Sequence, residues 1–157
     1  GRFDDKGRYA SVGRVDEGVV RGLLAHPYFR ASPPKSLDRY DFSLDALKDL
    51  QLEDAAATLV AFMADATKAG FDLLGHTPSE VVVCGGGRHN PEIMKALSAR
   101  LPAPVVSAEA RGWRGDAIEA EAFAILAARS VRGLPISWPG TTGVPAPMSG
   151  GRVATPA

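Results

Sequence analysis

The sequence predicts an α/β fold, and three observations predict it. The run Val81-Val82-Val83-Cys84 is apolar and β-branched, as a strand buried on both faces is. A second, shorter strand signal stands at Val105-Val106. Stretches with apolar residues at helical spacing lie before, between and after these two. The order helix, helix, strand, helix, strand, helix implies helices layered on a sheet. Two strand signals are few for a complete domain, so the expected fold is an incomplete sheet with packed helices, part of something larger. No internal repeat is visible.

Each element has a local reason. Residues 1–13 are polar and glycine-rich, without helical or strand period, and read as a loop in the middle of a longer protein. Asp16 can cap a helix from Glu17 to His26 that carries Val19, Val20, Leu23 and Leu24 and ends before Pro27. The segment from Ala31 to Arg39 is held extended by Pro33 and Pro34. With Lys35, Ser36, Asp38 and Arg39 it reads as a solvated loop. Ser43 can cap a short helix through Leu50. Leu52 to Leu74 predicts one long helix with a seam of Leu52, Ala56, Leu59, Met63, Ala66 and Leu73, stopped by Gly75. Asn90-Pro91 opens a helix to Leu101 with Ile93, Met94, Leu97 and Leu101 inward. Ser107 to Gly115 is a loop. Asp116 opens the last helix, through Arg132, and Gly133 closes it. The tail, residues 134–157, is rich in Pro, Gly, Ser and Thr, but Trp138 and Met148 predict that it lies against the body.

Composition excludes some functions. Across 157 residues, 18 basic and 18 acidic side chains balance to a net charge of zero, which argues against a nucleic-acid binder. An apolar fraction of 45% suffices for a core. The single cysteine, Cys84, rules out an internal disulfide, suits a reducing compartment, and is expected to be a small buried hydrophobe. No apolar run is long enough to span a bilayer as a helix, and no signal peptide is visible, so no membrane partner is expected.

The most informative stretch is Val81-Val82-Val83-Cys84-Gly85-Gly86-Gly87-Arg88-His89-Asn90-Pro91. Strand, glycine turn and helix N-terminus together favour an anion, a phosphate being the usual one, because free N–H groups and the helix dipole both attract it. The same glycines could equally serve close packing of strand on helix. The run is neither a P-loop nor a G-x-G-x-x-G fingerprint, and no serine lies in a G-x-S-x-G elbow. A second stretch, Asp116 to Ala122, has two readings. Asp116 and Glu119 form a capping box, or Glu119 points into a cleft to bind a hydroxyl or position water. Glu121 is expected to face solvent. His26, His76 and His89 make no metal-ligand spacing, and only His89 lies beside the glycine turn.

These pieces together resemble the anhydro-N-acetylmuramic acid kinases. Val82 to Pro91 is similar to their glycine motif on the nucleotide side. Gly112-Trp113-Arg114-Gly115-Asp116-Ala117-Ile118-Glu119-Ala120-Glu121-Ala122-Phe123-Ala124, then Arg132-Gly133-Leu134-Pro135, resembles their late helix. Thr141-Thr142-Gly143-Val144-Pro145 and Gly150-Gly151 resemble their tail. Upstream, His26-Pro27-Tyr28-Phe29, Pro34-Lys35-Ser36-Leu37-Asp38-Arg39 and Ala57-Thr58-Leu59 match in order. The resemblance covers nearly the whole chain.

It implies the C-terminal lobe, over residues 1–157, of an actin-like (ribonuclease H-like) ATPase fold, with ATP in a cleft between two lobes. The implied reaction opens the 1,6-anhydro ring of anhydro-N-acetylmuramic acid with water and phosphorylates its 6-oxygen from ATP. That is a step of peptidoglycan recycling in the bacterial cytoplasm. By resemblance Gly85, Gly86 and Gly87 approach the nucleotide, Asn90 shapes the turn, Glu119 is an active-site glutamate, and Mg2+ accompanies the ATP. No protein metal ligand is implied. Lys35, Ser36 and Arg39 match a motif without an assigned role. The family's phosphate loop and its base, an aspartate after Gly-Pro-Gly-Asn, are expected upstream of Gly1; Asp4 and Asp5 lack that motif. The chain alone is therefore expected to give no turnover and to expose apolar surface made for the other lobe. The sequence leaves oligomeric state open, with a homodimer of the full-length enzyme as one expectation. A non-catalytic nucleotide- or sugar-binding module, and a related kinase with another sugar, are the competing readings.

Overall fold

Asp16 starts the first helix for the reason its position suggests. In the computed structural model, which describes residues 3–38 and 41–154, its carboxylate accepts from the Val19 amide at 3.0 Å and caps α1, Glu17–Leu24. Such a cap is worth about 1 kcal/mol. Val20 and Leu23 are the buried residues of α1. Pro27 diverts the chain into a 3-10 turn, Pro27–Arg30, where the Tyr28 amide donates to Nδ1 of His26 at 3.2 Å. Of the short helix expected after Ser43, one 3-10 turn forms, Asp45–Leu47. Only Leu47 in it is buried, which is too little contact to offset the cost of nucleating a longer helix.

The long helix α2, Leu52–Asp72, packs against both α1 and a later helix, α3, Pro91–Arg100. Its expected seam is corrected. The buried residues are Ala57, Thr58, Ala61 and Ala64, while Leu52 and Leu73 are exposed. A helix with neighbours on two sides places small side chains where the backbones approach, and its larger ones lean into the grooves alongside. Thr58 is fully enclosed, and its Oγ1 accepts from the Asp16 amide at 2.9 Å, which ties α1 to α2.

Two strands follow. β1, Val81–Val83, pairs in parallel with β2, Val105–Ser107, in the register Val81 to Val105, Val82 to Val106 and Val83 to Ser107. The connection between them is α3, so β1–α3–β2 is one crossover unit. Val81, Val83 and Val105 pack on a core of Ala64, Leu97 and Leu101. Strand residues alternate faces, so Val82 and Val106 turn the other way. All six strand residues are half-buried, not buried on both faces as expected, because a two-stranded sheet has helices to cover one face only.

The last helix, α4, spans Ile118–Val131 and has no buried residue. Its Phe123, Ile125 and Val131 are among the exposed large apolar side chains. The tail returns along it, as Trp138 and Met148 suggest. Nε of Arg129 donates to the Pro135 carbonyl at 2.6 Å, the Arg129 guanidinium lies 5.2 Å from the Trp138 ring centre, and Ser137 bridges to Met148. Among the described residues no helix is long and apolar enough to cross a membrane.

Candidate functional site

The glycine turn begins where β1 runs out of partners. Cys84, the next residue, is exposed, which corrects the expectation that it is buried: it opens onto a cavity that Trp113 and Ile118 also line. Gly85 has φ of 72°, in the left-handed region that favours glycine, and its amide donates to the Gly115 carbonyl at 3.1 Å. Gly86–His89 then form a 3-10 turn. Asn90 caps α3, its Oδ1 accepting from the Glu92 and Ile93 amides at 3.0 and 3.4 Å. The amides of Gly86 and Gly87 donate to no acceptor among the described residues. A Cβ at Gly86 would meet nothing within 4 Å.

Gly86, Gly87, His89 and Asn90 form one side of a cavity of about 760 Å³. Leu59 and Ile93 are among its apolar lining, and Asp4 and Asp5 reach it from the N-terminal segment. The Asp4 carboxylate is consumed by the Tyr9 and Ala10 amides, at 2.8 and 3.1 Å. That of Asp5 has no partner among the described residues. Asp4 and Asp5 stand in no recognisable motif, yet the fold brings them beside the glycines.

The turn encloses a charge that the sequence does not announce. The side chain of Arg88 is only 3% exposed. Its Nε lies 2.9 and 3.0 Å from the two Glu109 carboxylate oxygens, and Nη2 lies 2.7 Å from Oε1. Nη1 donates to the Gly85 carbonyl and to Oδ1 of Asp116, both at 2.7 Å. Glu109 stands on a 3-10 turn after β2, Ala108–Arg111. His89 also faces Asp116, with Nε2 to Oδ1 at 3.1 Å.

Arg88 holds the Glu109 carboxyl down to about 2 from its ordinary 4.5, chiefly by hydrogen bonding. Arg88 first, then His89, hold Asp116 well below the usual carboxylate range, and the two acids raise the guanidinium's own pKa. A carboxyl whose pKa is lower in the folded than in the unfolded state stabilises the fold above its unfolded value and loses that contribution as pH falls toward its folded one. For Glu109 that window runs from 4.5 down to about 2. Urea midpoints measured from pH 7 to 3 are expected to fall less steeply in Glu109→Gln than in the unaltered protein. Parallel curves would show that Glu109 contributes nothing.

Asp116 is therefore not half of a capping box, a correction with a clear cause. Its carboxylate is taken by Arg88 and His89, and α4 starts later, with Ala117 as an N-cap that offers no side-chain bond. Glu119, in the first turn of α4, is exposed and has no hydrogen bond or ion pair among the described residues. It does not line the glycine-turn cavity. Glu121 pairs with Arg114 and lines a separate cavity of about 450 Å³ with Cys84 and Trp113. Gly86, Gly87 and Asn90 are thus brought together, Gly85 is tied to Gly115, and Glu119 stands apart. In the proline loop Lys35 folds back, with Nζ donating to the Tyr28 carbonyl at 2.7 Å and lying over its ring, so it is not solvated as expected. Ser36 is exposed, and Arg39 lies outside the described residues. Arg88 is the residue that sequence reasoning missed; its signal was a lone cation in an otherwise uncharged glycine turn.

This is an α/β unit of the class in which a glycine turn joins a parallel strand to a capped helix. The family model described as anhydro-N-acetylmuramic acid kinase matches residues 1–156. Enzymes of that name are similar over almost the whole chain. The one from Phenylobacterium zucineum strain HLK1 is 73% identical over 156 residues, covering 99% of this chain and 42% of the relative. The one from Caulobacter vibrioides is 67% identical, covering 98% and 41%, and that from Rhizobium rhizogenes is 54% identical, covering 98% and 42%. The chain belongs to the anhydro-N-acetylmuramic acid kinase family, and it spans about two fifths of the length of these relatives.

Proposed function

We propose that this chain is one lobe of a two-lobed, actin-like kinase. With ATP and water, the enzyme opens the 1,6-anhydro ring of anhydro-N-acetylmuramic acid and phosphorylates the sugar to N-acetylmuramic acid 6-phosphate, in the recycling of cell wall within the bacterial cytoplasm. The family match over residues 1–156 carries the reading. The glycine turn supports it with a place for the nucleotide. Phosphoryl transfer is catalysed mostly by positioning and by neutralising charge. The unpaired amides of Gly86 and Gly87 offer fixed dipoles at little reorganisation cost, and Asn90 anchors the turn to α3.

Among the described residues no group of three or more His, Cys, Asp or Glu is arranged to hold a metal. Magnesium keeps several waters and binds through phosphate oxygens with one or two carboxylates. Asp5 is the carboxylate at the cavity with a free donor set. The ion would supply charge neutralisation across the phosphates. Glu119 is the chain's candidate for contact with the sugar or the attacking water. The base that activates the water belongs to the remainder of the enzyme, and so does the opposite wall of the cleft.

The test is an assay of the longer enzyme with ATP, Mg2+ and anhydro-N-acetylmuramic acid. Equal amounts of ADP and sugar 6-phosphate are expected, with none from this chain alone. ADP and phosphate without a sugar phosphate would refute the substrate assignment.

A further inference from the structure

Arg88 is the one buried charged residue among the described residues. Enclosed as it is, its guanidinium does not reach the cavity as a ligand would. What it touches instead belongs to three separate elements: the Gly85 carbonyl at the end of β1, Glu109 after β2, and Asp116 at the approach to α4. A return bond closes the loop, since the Gly85 amide donates to the Gly115 carbonyl.

We propose that Arg88 is a positioning residue, which sets the free amides of Gly86 and Gly87 and the start of α4 in one fixed relation. The inference rests on the kinase reading for its catalytic consequence, and on geometry alone for its structural one. The planar fork of a guanidinium imposes directions as well as charge: side-on to Glu109 with Nε and Nη2, and across Gly85 and Asp116 with Nη1. A lysine would offer a point charge that cannot span all three. The cation is desolvated while its acidic partners are open, 51% for Glu109 and 71% for Asp116. The acids can rehydrate if the pairing is lost, whereas the guanidinium holds its place only while they remain.

Two variants of the longer enzyme test this, Arg88→Lys and the milder Asp116→Asn. Each is expected to raise KM for ATP about tenfold, less than the roughly hundredfold that a misplacement of about 1 Å can cost, with KM for the sugar unchanged. Amide hydrogen exchange is expected to accelerate in residues 84–90 and 115–120 and to stay unchanged in α1 and α2. A role in stability alone predicts a different result: less folded enzyme, unchanged KM for ATP, and faster exchange throughout, and that pattern would overturn the proposal. Unaltered enzyme that makes no sugar phosphate would refute the kinase reading instead, and the exchange pattern would still decide the role of Arg88.

Discussion

Gly115→Ala is expected to lower the thermal midpoint by roughly 5–10 °C, the equivalent of about 2–3 kcal/mol of overpacking in a chain of this size. A Cβ at Gly115 would lie 2.3 Å from Nε and 2.6 Å from Cζ of Arg88, and 2.8 Å from Oε1 of Glu109. Gly115 does not have a positive φ, so alanine suffers no backbone strain there and the whole cost is steric. The methyl group must push a buried guanidinium off its partners. Gly86→Ala is the control, because its Cβ would meet nothing within 4 Å; its stability should stay within about 0.5 kcal/mol of the unaltered protein. The cause can be isolated by a double-mutant cycle. In an Arg88→Ala background the two closest contacts are gone and only the open end of the Glu109 side chain has to move, so Gly115→Ala should cost much less. Additive losses would show that something other than the Arg88 contact makes position 115 intolerant.

What was legible in the sequence was local. Asp16 and Asn90 cap the helices they were expected to cap, because a cap bonds amides two or three residues away. Pro91 at the first helical position and Leu97 and Leu101 on the inner face follow from the same short range. The seam of α2 differs from the one its spacing predicts because periodicity reports one face, and α2 has neighbours on two. At Asp116 a capping box is visible in sequence, whereas the residue's actual partner, Arg88, is 28 residues away. The strand burial and the exposure of Cys84 depend on how many strands the sheet contains, which no residue in β1 encodes. The family was legible by another route: several motifs in a fixed order constrain identity more tightly than any one of them constrains geometry.

Glu119→Gln in the longer enzyme is expected to slow turnover by about a hundredfold, within the range for a carboxylate that binds or positions a reacting group, with thermal stability unchanged. The structure makes this a clean experiment. Read as the third residue of a capping box, Glu119 would be worth a fraction of the roughly 1 kcal/mol a cap provides, and loss of activity could then follow from a frayed helix. That box does not exist, since Asp116 is engaged by Arg88 and His89 and the Glu119 carboxylate has no partner among the described residues. Glutamine keeps the size of the side chain and removes only its charge. An exposed, unpaired carboxylate can be neutralised at less than about 0.5 kcal/mol, so a large loss of turnover at equal stability would point to a contact that Glu119 makes in the longer enzyme. If turnover is unchanged at equal stability, Glu119 is a surface residue of α4. The catalytic groups would then have to be sought at the cavity of Gly86, Gly87 and Asp5 and in the remainder of the enzyme.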